Sequence, residues 1–168
     1  MEIIPQQNEI SILSYQVETL VNNVVLGYYH HRQLLNLMKV TGARVSDALS
    51  CEYWEINSNT GISFYAQKNN TLVLLPQVEL PTTIGEILNK ARIAAGVLKY
   101  EDIARYIKSY QPYIISTSQT NNLRSHIFRY YFAKLKYSQG KTIQAISTMI
   151  GDTEQRTVGY IGATITTN

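Results

Sequence analysis

Between Glu9 and Leu26 the apolar residues Ile10, Leu13, Val17, Leu20, Val21, Val24 and Val25 recur at intervals of mostly three and four. That spacing lines one face of a 3.6-residue turn and predicts a long amphipathic helix. A second helical run covers Tyr28 to Val40 and stops at Thr41-Gly42, since glycine accepts the backbone reversal that ends a helix. A short helix follows from Arg44 to Cys51. The pattern then turns strand-like around Tyr53–Ile56, Gly61–Ala66 and Thr71–Leu75. Gln67-Lys68-Asn69-Asn70 joins the last two pieces as a hairpin turn, because asparagine tolerates the left-handed backbone such turns need. Pro76 and Pro81 close this region, and helical patterns resume over Thr83–Ala95, Tyr100–Tyr110, Asn121–Ser138 and Lys141–Ile150. Ser116–Asn122 reads as a loop leading into the third of these. The predicted class is α+β, mainly α: a helical frame around one small antiparallel sheet.

The Asn121–Ser138 run has a division of labour. At about 100° per residue, Ile127, Phe128, Tyr131, Phe132 and Leu135 gather on one side, and His126, Arg129, Ala133 and Lys136 on the other. The i, i+3 spacing stacks His126 on Arg129, within reach of a common ligand. One face is expected to pack and the other to act.

Composition narrows the picture without deciding it. The 168 residues, 45% hydrophobic and 16% charged, suffice for one domain with a real core. No apolar run approaches the roughly 18 residues of a membrane span, and no basic segment followed by an apolar one opens the chain. A soluble intracellular protein of the cytoplasm, without a membrane partner, is expected. The single cysteine, Cys51, excludes an internal disulfide and a cysteine-cage zinc site, and is read as a core residue. His30 and His31 diverge on a helix and have no third ligand at metal spacing, so an exposed pair is expected. The net charge of +3 is mild. Its distribution says more. Acidic residues thin out after Asp102, while Arg105, Lys108, Arg124, Arg129, Lys134, Lys136, Lys141 and Arg156 continue. A basic C-terminal half suits phosphate contact, and Lys134, Lys136, Lys141 and Arg156 are the candidate DNA-binding residues.

Arg44, Lys68, His126, Arg129 and Tyr160, in that order, supply two guanidiniums, an ammonium, an imidazole and a phenol. Such a set suits phosphodiester cleavage without metal: the phenol attacks phosphorus while arginine forks offset the charge on the non-bridging oxygens. The surrounding words carry a resemblance. Thr41-Gly42-Ala43-Arg44-Val45-Ser46-Asp47, His126-Ile127-Phe128-Arg129-Tyr130-Tyr131-Phe132-Ala133 and Met149-Ile150-Gly151-Asp152 through Tyr160 resemble three boxes of the tyrosine recombinases, the phage integrase family. Lys68, in its predicted turn ahead of Thr71-Leu72-Val73-Leu74-Leu75-Pro76, is similar to that family's hairpin lysine. The register then holds through Gly140, Ile143 and Ile146, and the likeness runs from about Glu9 to Ile161.

The resemblance implies a helical catalytic domain that joins Tyr160 covalently to a DNA 3′-phosphate. Arg44 and Arg129 would clamp the phosphate, His126 would assist the proton at the tyrosine side, and Lys68 would protonate the leaving 5′-hydroxyl. It implies no cofactor and no metal, double-stranded DNA as partner, and a homo-oligomer of up to four copies assembled on DNA. Two departures stand out. Asp152 replaces the histidine or tryptophan of the third box at a catalytic position, with Thr153 or Arg156 as candidates for the missing donor, and the stretch from Asp152 to Tyr160 is one residue shorter. No N-terminal core-binding domain precedes residue 9, so residues 1–168 are expected to form either a catalytic domain alone or a fragment. A recombinase-derived DNA-binding protein that no longer cuts, and a topoisomerase-like relaxing activity of type IB, remain as alternatives.

Overall fold

The computed structural model describes residues 6–23, 29–109, 113–116 and 126–167. Among them α1 (Gln6–Asn22), α2 (Tyr29–Thr41) and α3 (Val45–Leu49) lead through a 3-10 turn at Cys51–Tyr53 into β1 (Glu55–Asn57), β2 (Gly61–Tyr65) and β3 (Leu72–Leu75). Next come α4 (Ile84–Ala95), α5 (Tyr100–Ser109) and β4 (Tyr113–Ser116), then α6 (Ile127–Ser138), α7 (Ile143–Ile150), α8 (Glu154–Gly162) and β5 (Thr164–Thr167). The expected class and the expected helices through α7 are present. The expectations placed on Val24, Val25, Leu26, Tyr28, Tyr110 and Asn121, and on Arg124 as a basic residue, lie outside the described residues.

Periodicity becomes packing most plainly in α4. Ile84, Ile87, Leu88, Ala91 and Ala94 form one buried stripe, set against α2, whose Leu34, Leu35, Leu37 and Met38 are buried in turn. Full burial of each such Leu or Ile contributes about 1.5–3 kcal/mol. The three-stranded sheet is antiparallel in the order β1-β2-β3. Phe64 opposes Val73, and Tyr65 opposes Leu72. Along β3 the alternation is strict: Val73 and Leu75 point inward, Leu72 and Leu74 outward. The hairpin turn forms as expected, closed by Asn70 N donating to Ala66 O at 2.8 Å, with Asn70 itself at φ 54°. Trp54 stacks on Phe64 with ring centroids 4.1 Å apart.

Helix α6 departs from the two-faced expectation. Arg129, Tyr130, Ala133, Lys134 and Lys136 are buried together with Ile127, Phe128 and Phe132. Neighbours α1, α2, α7 and α8 surround it, leaving no broad face to solvent. His31 is likewise buried and His30 partly so, a correction to the expected exposed pair. Cys51 is a buried thiol pushed up to about 11, chiefly by burial. Three elements, α8, β4 and β5, escaped the sequence reading. Thr153 caps α8 by accepting from Arg156 N, and the tail pairs in cis as β5 with β4, Ile115 facing Ile165. No helix among the described residues is long and apolar enough to cross a membrane.

Candidate active site

Two tight approaches of backbone to side chain shape the site. Gly42, at φ 71°, reverses the chain after α2, and a Cβ there would lie 2.8 Å from the Phe132 ring. Gly151, at φ 64°, ends α7 in the left-handed conformation, and its Cβ would come within 2.3 Å of Val73 Cγ2. Only glycine meets both conditions at each point. Arg44 follows the first turn and Asp152 the second, so distant segments deliver them to the same place.

Arg129, on the first turn of α6, is 1% exposed. Its Nη1 donates to Gly42 O at 2.9 Å and its Nη2 to Ile150 O at 3.2 Å. Both glycine turns are therefore tied to one guanidinium. Arg44 stands at the N-terminal cap position of α3 in an extended conformation, and its side chain is 7% exposed. The Nε and Nη1 atoms of Arg44 make no hydrogen bond, although Nη1 lies 3.7 Å from the Asp47 carboxylate. Burial, then the nearby Arg129, lower the Arg44 pKa, and Asp152 opposes them. Asp47 holds the hairpin as well, accepting from Gln67 N at 2.9 Å.

Everything converges on one oxygen. Asp152 Oδ2 accepts from Arg44 Nη2 at 2.9 Å, from Arg129 Nη2 at 3.2 Å and from the Tyr160 hydroxyl at 3.3 Å. Its other oxygen, Oδ1, accepts from Thr153 N at 2.8 Å. Burial pushes the Asp152 carboxyl up, but the Thr153 amide and the guanidiniums of Arg129, Arg44 and Arg156 outweigh it and hold it below the usual carboxylate range. Thr153 uses its hydroxyl to cap α8, and Arg156 Nε stands 3.9 Å from Asp152 Oδ1. Despite the short connection, α8 carries Tyr160 fully into the cluster. The Arg129 guanidinium carbon lies 5.1 Å from the centre of the Tyr160 ring, and Tyr130 packs edge-on against that ring.

His126 begins α6 with its ring centroid 6.4 Å from that of Tyr160. Its pKa falls to about 4, first through burial and then through Arg129, Arg44 and Lys68. The imidazole is neutral near pH 7. Lys68 sits in the exposed hairpin turn. Partial shielding, then the positive charges of Arg156 and Arg44, lower its pKa. An open cavity of about 350 Å³ lies beside the cluster, lined by Arg44, Val45, Ser46, Gln67, Lys68, Tyr100 and His126. A guanidinium, an ammonium and a neutral imidazole thus border one space, a lining whose donors suit an anion. Tyr100, half exposed on α5, was not expected here, and its position in the sequence offers no signal for it.

The expected DNA contacts divide. Lys134 and Lys136 are corrected: both ammonium groups are enclosed. Lys134 Nζ donates to Glu9 Oε2 at 3.1 Å and to the Ile161 and Ala163 carbonyls at 2.7 and 2.6 Å. It thereby ties α1 and α6 to the end of the helix that bears Tyr160. Lys136 Nζ donates to Glu79 Oε2 at 2.6 Å, and Lys141 reaches the other oxygen of the same carboxylate while its side chain stays 39% exposed. Arg156, its side chain 54% exposed, stands at the rim of the cluster.

No protein-family model matches the sequence, and neither does any curated protein. Solved structures do match. One is the XerH site-specific recombinase bound to its difH substrate in a pre-cleavage complex, with 15% identity and a TM-score of 0.53 over 88% of this chain and 47% of that one. Another is XerH with a palindromic difH substrate in a post-cleavage complex, at 16% identity and a TM-score of 0.54, over 91% and 48%. The chain thus spans about half the length of the recombinase it matches. At this identity the likeness establishes architecture: the fold is of the tyrosine-recombinase catalytic-domain type.

Proposed function

We propose that the chain is a site-specific DNA recombinase that cleaves and rejoins duplex DNA through a covalent 3′-phosphotyrosine at Tyr160. The observation that carries this reading is convergence: Arg44, Arg129 and Tyr160 all aim a polar atom at Asp152 Oδ2 within 3.3 Å. A non-bridging phosphate oxygen beside that carboxylate, on the side of the open cavity, would meet the guanidiniums with the phenol alongside. Paired guanidiniums neutralise the charge that develops as the phenol oxygen attacks phosphorus. Lys68, its pKa lowered and its ammonium near the cavity, suits donation to the departing 5′-oxygen. Neutral His126 offers hydrogen bonding to phosphate rather than a third positive charge. Because the phosphodiester energy is kept in the tyrosine linkage, an incoming 5′-hydroxyl reverses the step without ATP. Exchange between two duplexes uses four such sites, which calls for assembly of up to four copies on DNA, with Arg156 and Lys141 as outer phosphate contacts. XerH acts on a defined substrate, and a defined DNA site is the matching expectation here.

A second reading has its own support. Asp152 already occupies the cradle with a negative charge, which suits a DNA-binding protein that does not cut. A nicked suicide duplex that traps cleaved ends separates the two. A covalent protein–DNA adduct that disappears in Tyr160→Phe supports the enzyme; site-selective binding without adduct supports the second reading.

A further inference from the structure

Resting on that reading, we propose that Asp152 is the proton acceptor for Tyr160 during cleavage, and that the protonated Asp152 then becomes the hydrogen-bond donor that the phosphate cradle otherwise lacks. Direction is fixed by the partners. Arg129 Nε points at the phenol oxygen at 3.4 Å, and a guanidinium only donates. The phenol oxygen must accept there, which leaves its own proton for Asp152 Oδ2 at 3.3 Å. The Thr153 amide holds Oδ1 on the opposite side, so Oδ2 stays turned toward the phenol. His126 is the weaker candidate: its ring centroid lies 6.4 Å from that of Tyr160, its Nδ1 makes no hydrogen bond, and burial among Arg129, Arg44 and Lys68 disfavours its cationic form.

Charge explains why the transfer waits for DNA. Without substrate, Arg44 and Arg129 from before α3 and from α6, Arg156 from α8, and Lys68 from the hairpin face the carboxylate, with Asp47 beyond Arg44 and neutral His126 to one side. That surplus keeps Asp152 ionised. A phosphodiester between the guanidiniums takes over their charge and adds a negative neighbour, and both changes raise the proton affinity of the carboxylate. The step then balances. The phenol O–H bond breaks with its proton going to Oδ2, the phenol oxygen bonds phosphorus, and the P–O5′ bond breaks. Its electron pair leaves on O5′, which takes a proton from Lys68. Two guanidiniums face one carboxylate and one phosphate monoanion before the step, and a doubly charged phosphorane with a neutral acid at its peak. Total charge in the cradle is unchanged.

The test measures the rate of adduct formation on the nicked suicide duplex from about pH 6 to about pH 9, bracketing the range in which a phenol begins to ionise. Wild type should be nearly flat around neutrality. Asp152→Asn should be slower by roughly 10²–10³-fold at neutral pH. Its rate should climb about tenfold per pH unit, since only ionised phenol can react without an acceptor. Asp152→Glu, which keeps the carboxylate, should regain the flat profile, and it carries the test if the Asn variant is unfolded by circular dichroism. An Asn variant as fast as wild type would overturn the proposal, marking the carboxylate as a competitor for phosphate. A variant slowed equally at every pH, or a Glu variant with the steep profile, would overturn it too. Binding without adduct in wild type at every pH would instead bring down the cleavage reading, and the proposal with it.

Discussion

Two clusters of cations lie on and around α6, and they differ in how their charge is balanced. Lys134 and Lys136 each face a glutamate, Glu9 and Glu79, with the carboxylates only 8% exposed. Every strong donor there has a partner inside the protein. Around Asp152 the proportions reverse: Arg44, Arg129, Arg156 and Lys68 surround one carboxylate with Asp47 in support. Arg44 keeps two nitrogens without hydrogen bonds, and an open cavity adjoins them. Matched charge fastens helices together; around Asp152 the cations outnumber the carboxylates beside an open cavity.

The sharpest way to break this contrast is at Lys134. Lys134→Met strands the Glu9 carboxylate in the interior and should lower unfolding stability by about 3–5 kcal/mol in urea titration. A second change, Glu9→Met, should restore part of it, because the stranded charge is gone while the Ile161 and Ala163 carbonyls still lack their donor. DNA affinity should be unaltered in the double variant. If affinity falls instead, Lys134 belongs with the outward-facing cations.

His126 offers a test of intermediate size. Its pKa drops from 6.5 to about 4 on folding. Between those values the unfolded chain binds a proton that the folded chain refuses, so stability rises with pH across the window and is lost on acidification. The imidazole should account for up to about 3 kcal/mol between neutral pH and pH near 4. His126→Phe should flatten that part of the curve, measured by urea unfolding at several pH values. The smallest effect belongs to Arg156. Arg156→Ala should weaken DNA binding uniformly across sequences and reduce the salt slope of log K by about one, read by fluorescence anisotropy over a salt series.

Much of this arrangement was legible in the residues because it is local. Periodicity gave α2 and α4, and the Gln67–Asn70 composition gave the turn that carries Lys68. The spacing of His126 and Arg129 on one helix brought both into the site. What escaped reading depends on partners far along the chain. Lys134 meets a glutamate 125 residues away and Lys136 one 57 residues away. Helical phase alone assigns such long side chains to an outer face. Their ammonium groups turn inward only because those carboxylates are there. Asp152 likewise takes partners from afar: beside a phosphate alone a carboxylate repels, and here it accepts from two buried guanidiniums. The β4–β5 ribbon did leave a signal in Thr164-Ile165-Thr166-Thr167, whose β-branched residues favour a strand, but its partner lies at Tyr113–Ser116.

The central claim is that Tyr160, among thirteen tyrosines, is the one placed to attack DNA phosphorus. Protease digestion of the protein after reaction with the nicked duplex, followed by mass spectrometry, tests it directly. The peptide containing Tyr160 should carry a 3′-phosphoryl oligonucleotide. An adduct on Tyr100, Tyr130 or any other tyrosine, or DNA bound at its site with no modified peptide, would contradict it.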